Sequence, residues 1–367
     1  MAMHATIAVA AWLAALAQGS YLALHGARGG ECHRRKMHSL VFSPDEAYGL
    51  TASEDNTAKL WNVSSGELIR TFDGHGDGVV SAAFSPNGSL VLTASKDCTA
   101  KLWHASTGEC LGTFGGPEGH TMRVNSAVFS PDGAFALTSS KDSTVKLWNV
   151  ASRTVVRTLQ AHREDVISAS FSRTVGRAIT ACGDSTAAVW DIATGNVKVL
   201  FLPLHETYAR DGDRSWEHGW TSELSRDGDV AVTQHGDETA RIWDVAAGRL
   251  RAVLGLFVGQ PPVLSAALSH DGKFVLTHGR GPTKESWEAR LWWASNGAEH
   301  KLLDVSKERY TTAVFSADRE YALTVAGEGL AKVWNARSWR LAWSVQLPRA
   351  AFSPSGTHIS AAFSPSG

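Results

Sequence analysis

Residues Phe84–Trp103 read FSPNGSLVLTASKDCTAKLW, and His75 lies nine residues upstream of Phe84. Four landmarks stand at fixed distances here: His75, Thr93, Asp97 and Trp103. They recur as His33, Thr51, Asp55 and Trp61, as His120, Thr138, Asp142 and Trp148, and as His162, Thr180, Asp184 and Trp190. In all four copies the steps are nine residues from His to Phe, nine to Thr, four to Asp and six to Trp. Trp243, Trp292 and Trp334 continue the series, so seven tryptophans are spaced by 42, 45, 42, 53, 49 and 42 residues. A period of about 40–45 residues is that of a four-stranded structural repeat.

Four short strand patterns fit inside each unit. The first ends in Phe, as in VVSAAF at 79–84, and a turn follows, Ser85-Pro86-Asn87-Gly88 or Ser130-Pro131-Asp132-Gly133. Proline presets φ at the second turn position, Asn or Asp tolerates the third, and glycine closes the turn. SLVLTAS (89–95) and TAKLW (99–103) are the second and third strands, and ECLGTF (109–114) is the fourth. Their Val, Leu, Ile, Ala, Thr and Phe content suits strands covered on both faces.

These motifs resemble the WD-repeat β-propeller family over roughly residues 33–347. Gly74-His75 and Gly119-His120 open units, and Trp190-Asp191 and Trp243-Asp244 close strands. The residue after the tryptophan drifts elsewhere, to Asn62, His104, Asn149, Trp293 and Asn335. The resemblance implies an all-β, seven-bladed propeller of four-stranded antiparallel blades around a channel. The units run at about 33–72, 75–114, 120–159, 162–202, 215–254, 259–303 and 306–347, in a domain spanning 25–347. Ring closure leaves only short protected edges.

His75, Asp97 and Thr93 contain the groups of a hydrolytic triad. A triad is needed once, however, whereas this set occurs four times, always with a tryptophan. The resemblance implies a buried hydrogen-bond chain from indole to threonine, threonine to imidazole and imidazole to carboxylate. Removing one member would strand the others at about 1–3 kcal/mol each. The expectation is therefore a structural tetrad in each of the first four units and no catalytic residue.

The later units depart from this pattern. The hydroxyls Thr233, Thr277 and Thr324 persist, but the His position becomes Ser215, Gly259 and Ser306. Asp237 survives in unit five, Glu328 stands in unit seven, and Gly279–Glu288 interrupts unit six. These blades are expected to be the less rigid half. Eleven extra residues join units four and five, and five more separate the second and third strands of unit six. By family geometry both insertions open on one face, the top, and gather Tyr208, Arg210, Arg214, Trp216, Trp220, Arg280, Lys284 and Trp287. Trp, Tyr and Arg dominate interface hot spots; alternatively, these aromatics cover the loosened blades. A second candidate surface is the residue before each turn aspartate, Glu54, Lys96 and Lys141, with Arg34, Arg35, Asp77, Arg123 and Arg163 just after the histidines. As a ring they favour an acidic or mixed-charge peptide.

The ends stand apart. Residues 1–24 hold a small-residue apolar run, Ala5 to Ala17, too short to span a membrane. Ala15-Leu16-Ala17 fits a signal-peptide cleavage site, but no Lys or Arg precedes the run, so a short helix or unpaired leader is preferred. Tyr21–Leu24 could instead supply the outer strand of the last blade. At the other end AAFSPSG occurs twice, at 350–356 and 361–367, so 348–367 reads as the start of a further, partial unit.

Lys and Arg number 35 against 36 Asp and Glu in 367 residues, a balance that points to neither nucleic acid nor an acidic membrane. Cys32, Cys98, Cys110 and Cys182 form no CxxC pair, so neither zinc nor a disulfide framework is expected, and a reducing compartment, cytoplasmic or nuclear, is. No phosphate-binding glycine loop, metal-ligand spacing or cofactor motif is present. The expected function is a non-catalytic scaffold that presents its top face to proteins or peptide segments. The alternatives are a regulatory or sensor module of a larger protein and, remotely, a threonine hydrolase.

Overall fold

A computed structural model describes residues 33–201, 222–234, 239–255, 263–281, 283, 286–307, 310–315, 321–326, 330–346 and 360–362, except positions 46, 64, 161, 173–175, 185 and 270. Every regular element among them is a β-strand. They form a seven-bladed propeller, each blade a four-stranded antiparallel meander in chain order. Blade one comprises Met37–Phe42, Tyr48–Ser53, Thr57–Asn62 and Leu68–Asp73. Blade two runs from Val79–Phe84 out to Cys110–Phe114, three from Val124–Phe129 to Val155–Leu159, and four from Val166–Phe171 to Val197–Phe201. Five runs from Ser222–Leu224 to Arg249–Leu254, six from Val263–Leu268 to Glu299–Ser306, and seven from Tyr310–Phe315 to Arg340–Gln346.

Burial follows position within the blade. Second strands such as Leu90–Ser95 are buried at nearly every residue, because a neighbouring blade covers each face. The outer strand Cys110–Phe114 buries only its last residue fully. From Trp103 onward the repeat tryptophan packs onto the blade before it: Trp103 joins Leu50, Leu60 and Phe72 of blade one, and Trp148 joins Leu92, Leu102 and Phe114 of blade two. Phe72 and Trp103 have ring centroids 5.7 Å apart, a favourable tilted pair. Opposite the tryptophan the outer strand slips by a residue, as between Leu102 and Trp103, a bulge that adds twist.

The Ser-Pro-Asn-Gly turn works through its side chains. Ser85 Oγ donates to Asn87 Oδ1 at 2.7 Å and accepts Leu90 N–H at 2.9 Å, while Gly88 takes φ 72°. Ser225–Asp227 and Ser269–Asp271 repeat the serine bond at 2.5 and 2.8 Å, so this turn survives in blades five and six.

Three features differ from the sequence reading. The insertion in blade six lengthens its hairpin, with Gly279 facing Glu288 and Arg280 facing Trp287. Its outer strand grows to match, so Ser306 pairs with Trp287 inside blade six rather than entering blade seven. Finally, Ser360–Ala362 forms a fifth strand on the inner edge of blade one, parallel to Met37–Phe42. The outer strand of blade seven is its own Arg340–Gln346. Tyr21–Leu24 and the rest of the leader lie outside the described residues.

Candidate functional site: the clamped top face

One end of the disc carries the loops entering each blade and the turns joining second to third strands. There the four sequence landmarks meet. In blade two Trp103 Nε1–H donates to Thr93 Oγ1 at 2.9 Å, Thr93 Oγ1 lies 2.8 Å from His75 Nε2, and His75 Nδ1 lies 2.7 Å from Asp97 Oδ2. Blade one repeats this through Trp61, Thr51, His33 and Asp55 at 2.9, 2.7 and 2.9 Å. Blade three does so through Trp148, Thr138, His120 and Asp142 at 2.8, 2.7 and 2.9 Å. A neutral imidazole protonated at Nδ1 satisfies every member, with Thr93 O–H donating to Nε2 and Nδ1–H donating to the carboxylate.

Burial by itself raises the Asp55, Asp97 and Asp142 carboxyls. Hydrogen bonds from the imidazole, the next threonine and a loop amide outweigh it, holding all three well below the usual carboxylate range. Burial also lowers His33 and His162, each against a neighbouring carboxylate.

Two members of this network have sequence signals that the tetrad reading passes over. Thr57, Thr99, Thr144 and Thr186, two residues after each aspartate, donate Oγ–H to its Oδ1 at 2.7, 2.6, 2.6 and 2.5 Å. Ser53, Ser95 and Ser140, two residues before it, donate to the loop carbonyls of Arg35, Asp77 and Met122 at 3.2, 2.9 and 3.1 Å. Both keep the period, so a Ser-x-Asp-x-Thr pattern was visible in the chain. Between aspartate and threonine the chain turns left-handed at Asn56, Cys98 and Ser143, with φ 69°, 69° and 67°.

Blade four is wired differently. Cys182 replaces the serine, with its thiol 3.3 Å from Glu164 O. His162 Nδ1 lies 2.9 Å from Thr186 Oγ1, so the link to Asp184 runs through that hydroxyl, while Nε2 keeps Thr180 at 2.7 Å. His162, Cys182 and Asp184 offer ligand atoms within 4.8 Å of one another, which is metal-like proximity. Both imidazole nitrogens, however, already have threonine partners, and burial pushes the thiol up to about 12, away from the thiolate a metal needs. In blades five, six and seven the indole–threonine bond persists: Trp243–Thr233 at 2.8 Å, Trp292–Thr277 at 2.7 Å and Trp334–Thr324 at 3.0 Å. Asp237, Glu328, Ser215 and Gly259 lie outside the described residues.

The charges outside the clamps tie neighbouring blades together. Lys96 of blade two reaches back to both carboxylate oxygens of Glu54 in blade one, at 2.6 and 2.8 Å, and His38 Nε2 meets Glu54 at 2.5 Å. These bonds, Lys96 first, hold Glu54 below its ordinary value. Gly78 makes room for them, since a Cβ there would lie 3.1 Å from Glu54 Oε2. Arg123 of blade three reaches Asp165 of blade four at 3.3 Å. Burial raises the Asp165 carboxyl, and its Oδ1 is buried without a hydrogen-bond partner among the described residues. Arg34, Arg35, Lys36, Lys141 and Arg163 are exposed on this end and make no ion pair among the described residues, against exposed Asp77 and Glu164.

Of the insertion-loop candidates, Tyr208, Arg210, Arg214, Trp216, Trp220 and Lys284 lie outside the described residues. The guanidinium of Arg280 sits 5.6 Å from the ring centroid of Trp287, a cation–π distance, and Trp287 packs on Ala289 and Ala326 at the joint of blades six and seven.

The family model described as "WD domain, G-beta repeat" matches residues 29–62, 66–104, 108–149 and 153–191, the four clamped units. WD repeat domain-containing protein 83 of Danio rerio is 37% identical over 65 residues, 18% of this chain and 21% of that protein. The Mus musculus protein of that name is 40% identical over 52 residues, 14% of this chain and 16% of that one. Transducin beta-like protein 3 of Rattus norvegicus is 37% identical over 61 residues, 17% and 8%. The matches thus span about a fifth of these relatives or less. Among solved structures, the computationally designed Ika8 protein superposes with a TM-score of 0.67 over 90% of this chain and 91% of that one at 22% identity, a likeness of fold alone. Residues 29–191 of this chain thus carry four repeats similar to those of WD-repeat proteins. Such propellers are generally non-catalytic and bind proteins, and no helix among the described residues is long and apolar enough to cross a membrane.

Proposed function

We propose that this protein is a non-catalytic scaffold that holds an acidic or mixed-charge protein segment on the top face of blades one to four. The observation that carries it is the division of labour on that face. The reactive-looking groups are consumed inside the blades, while Arg34, Arg35, Lys36, Lys141 and Arg163 stay exposed around them. Such a ring steers an acidic partner and fixes its register more than it sets affinity. Cys98, Cys110 and Cys182 are free thiols, which fits the reducing compartment this reading carries with it.

The test is binding of a labelled Glu/Ser-rich peptide to the wild type and to an Arg34→Glu, Lys141→Glu, Arg163→Glu variant. The wild type should bind with an affinity that falls as salt rises, and the variant should lose it. Equal binding to both proteins refutes the basic face.

A further inference from the structure

We propose that the inner edge of blade one is a strand-docking slot for an extended segment reading Ser-Ala-Ala-Phe-Ser-Pro, occupied in cis by the second AAFSPSG copy of this chain. The first observation is register. Ser39, Leu40 and Val41 pair in parallel with Ser360, Ala361 and Ala362. That pairing sets Ser39-Leu40-Val41 alongside Ser360-Ala361-Ala362, and in the sequence each triplet is followed by Phe-Ser-Pro. The added strand therefore takes the orientation and register of a repeat's own inner strand.

The second observation is position. Ser360–Ala362 touches the inner strand of blade seven as well as that of blade one, and so stands between them in the ring. Elsewhere, inner strands of successive blades pack without sharing a sheet. The slot is thus an inner-strand edge of the kind every blade carries, and among the described residues it is on blade one that an extended segment satisfies it by β-augmentation.

Tether length explains which copy docks. In blade one, Asp73 ends the outer strand, and Ala82 sits nine residues later at the inner position equivalent to Leu40. In blade seven the outer strand ends at the equivalent Gln346. Ala350 of the first copy follows by only four residues, whereas Ala361 follows by fifteen. Four residues extend at most about 14 Å. Crossing three strand spacings uses about 14 Å, and the step to the next ring position needs about 10 Å more. The first copy cannot make that journey, and the second can. Identical sequences are separated here by reach alone.

The test uses the full chain with Ala361→Pro and Ala362→Pro, which removes ladder donors from the added strand, beside the wild type. Amide exchange at Leu40, whose N–H faces the added strand, should rise about tenfold or more in the variant, while Val41, which faces Leu50 of the second strand, and Ala82 of blade two stay unchanged. A labelled peptide of residues 357–367 should bind the variant about tenfold or more tightly than the wild type, where the tethered copy competes at an effective concentration of order millimolar. A peptide of residues 348–358 should bind equally well, since only its tether excludes it in cis. Unchanged exchange at Leu40 overturns the slot. Raised exchange without binding of either peptide, or binding matched by a scrambled peptide, overturns recognition of the motif.

Discussion

Blades one to four and blades five to seven share a strand order, an inward tryptophan and an indole–threonine bond, yet they hold their top ends differently. In the first group the loop entering the blade is bolted to the turn between its second and third strands. Asp97 alone takes His75, the Gly76 amide, the Thr99 amide and the Thr99 hydroxyl. In the second group the histidine of that chain is missing from the sequence, and the bond from the indole to the threonine persists. Apolar packing between blades builds the disc in both, as the Trp292 and Trp334 clusters show. The clamp is therefore not what makes a blade. It adds a fixed loop at one end, on which a surface can be presented.

Removing the shared hydroxyl gives the sharpest contrast. Thr93→Val strands both the Trp103 N–H and the His75 ring, and should cost about 2–6 kcal/mol at 1–3 kcal/mol per buried unpaired group. Thr324→Val strands one N–H and should cost about 1–3 kcal/mol, half as much. Denaturant unfolding of the two variants checks this, and equal losses would erase the distinction between the halves.

Acidity should separate the same regions with opposite signs. Asp55, Asp97 and Asp142 titrate lower folded than unfolded, so their stabilisation is complete above the ordinary carboxylate value of about 4 and fades as pH falls below it. His33 and His162 are also lowered, so blades one and four begin to loosen earlier, as pH falls below about 6.5. Glu223, on the inner strand of blade five, accepts Leu268 N–H of blade six at 2.7 Å, and burial pushes its carboxyl up to about 7. Its contribution is complete below its unfolded value and is lost as pH rises toward 7. Segment-resolved hydrogen exchange between pH 4 and 8 should show clamp loops protected at high pH and the Glu223 strand protected at low pH. Glu223→Gln should remove the second trend only.

The smallest effect is expected at the exception among the clamps. Cys182→Ser restores the residue of the other three blades and should change stability by less than about 0.5 kcal/mol. Thiol labelling should reach exposed Cys110 readily and buried Cys182 only on unfolding, since its raised value keeps it a thiol. Fast labelling of Cys182 in the native protein would mean that blade four opens.

Much of this was legible beforehand where the interaction stays within one repeat. His75, Thr93, Asp97 and Trp103 span 28 residues, and their recurrence identifies them without any partner blade. Thr99 and Ser95 kept the same period but were passed over, because threonine and serine also belong in strands for their shape. The Glu54–Lys96 tie could not be read, since a spacing of 42 residues says nothing about which side chains meet across a joint. In the sequence Trp287 reads either as a binding aromatic or as cover, and its packing on Ala326 depends on a neighbouring blade.

By itself, then, the sequence determined the blade: its strands, its serine turns and the polar bolt at its top, all built from contacts inside about 45 residues where local chemistry repeats. The tertiary structure alone decided the joints, meaning which charges pair between blades, where Ser306 ends a strand and that Ser360–Ala362 pairs with the edge of blade one. Those outcomes depend on ring geometry and tether reach, and two identical heptapeptides cannot encode the distance each must travel.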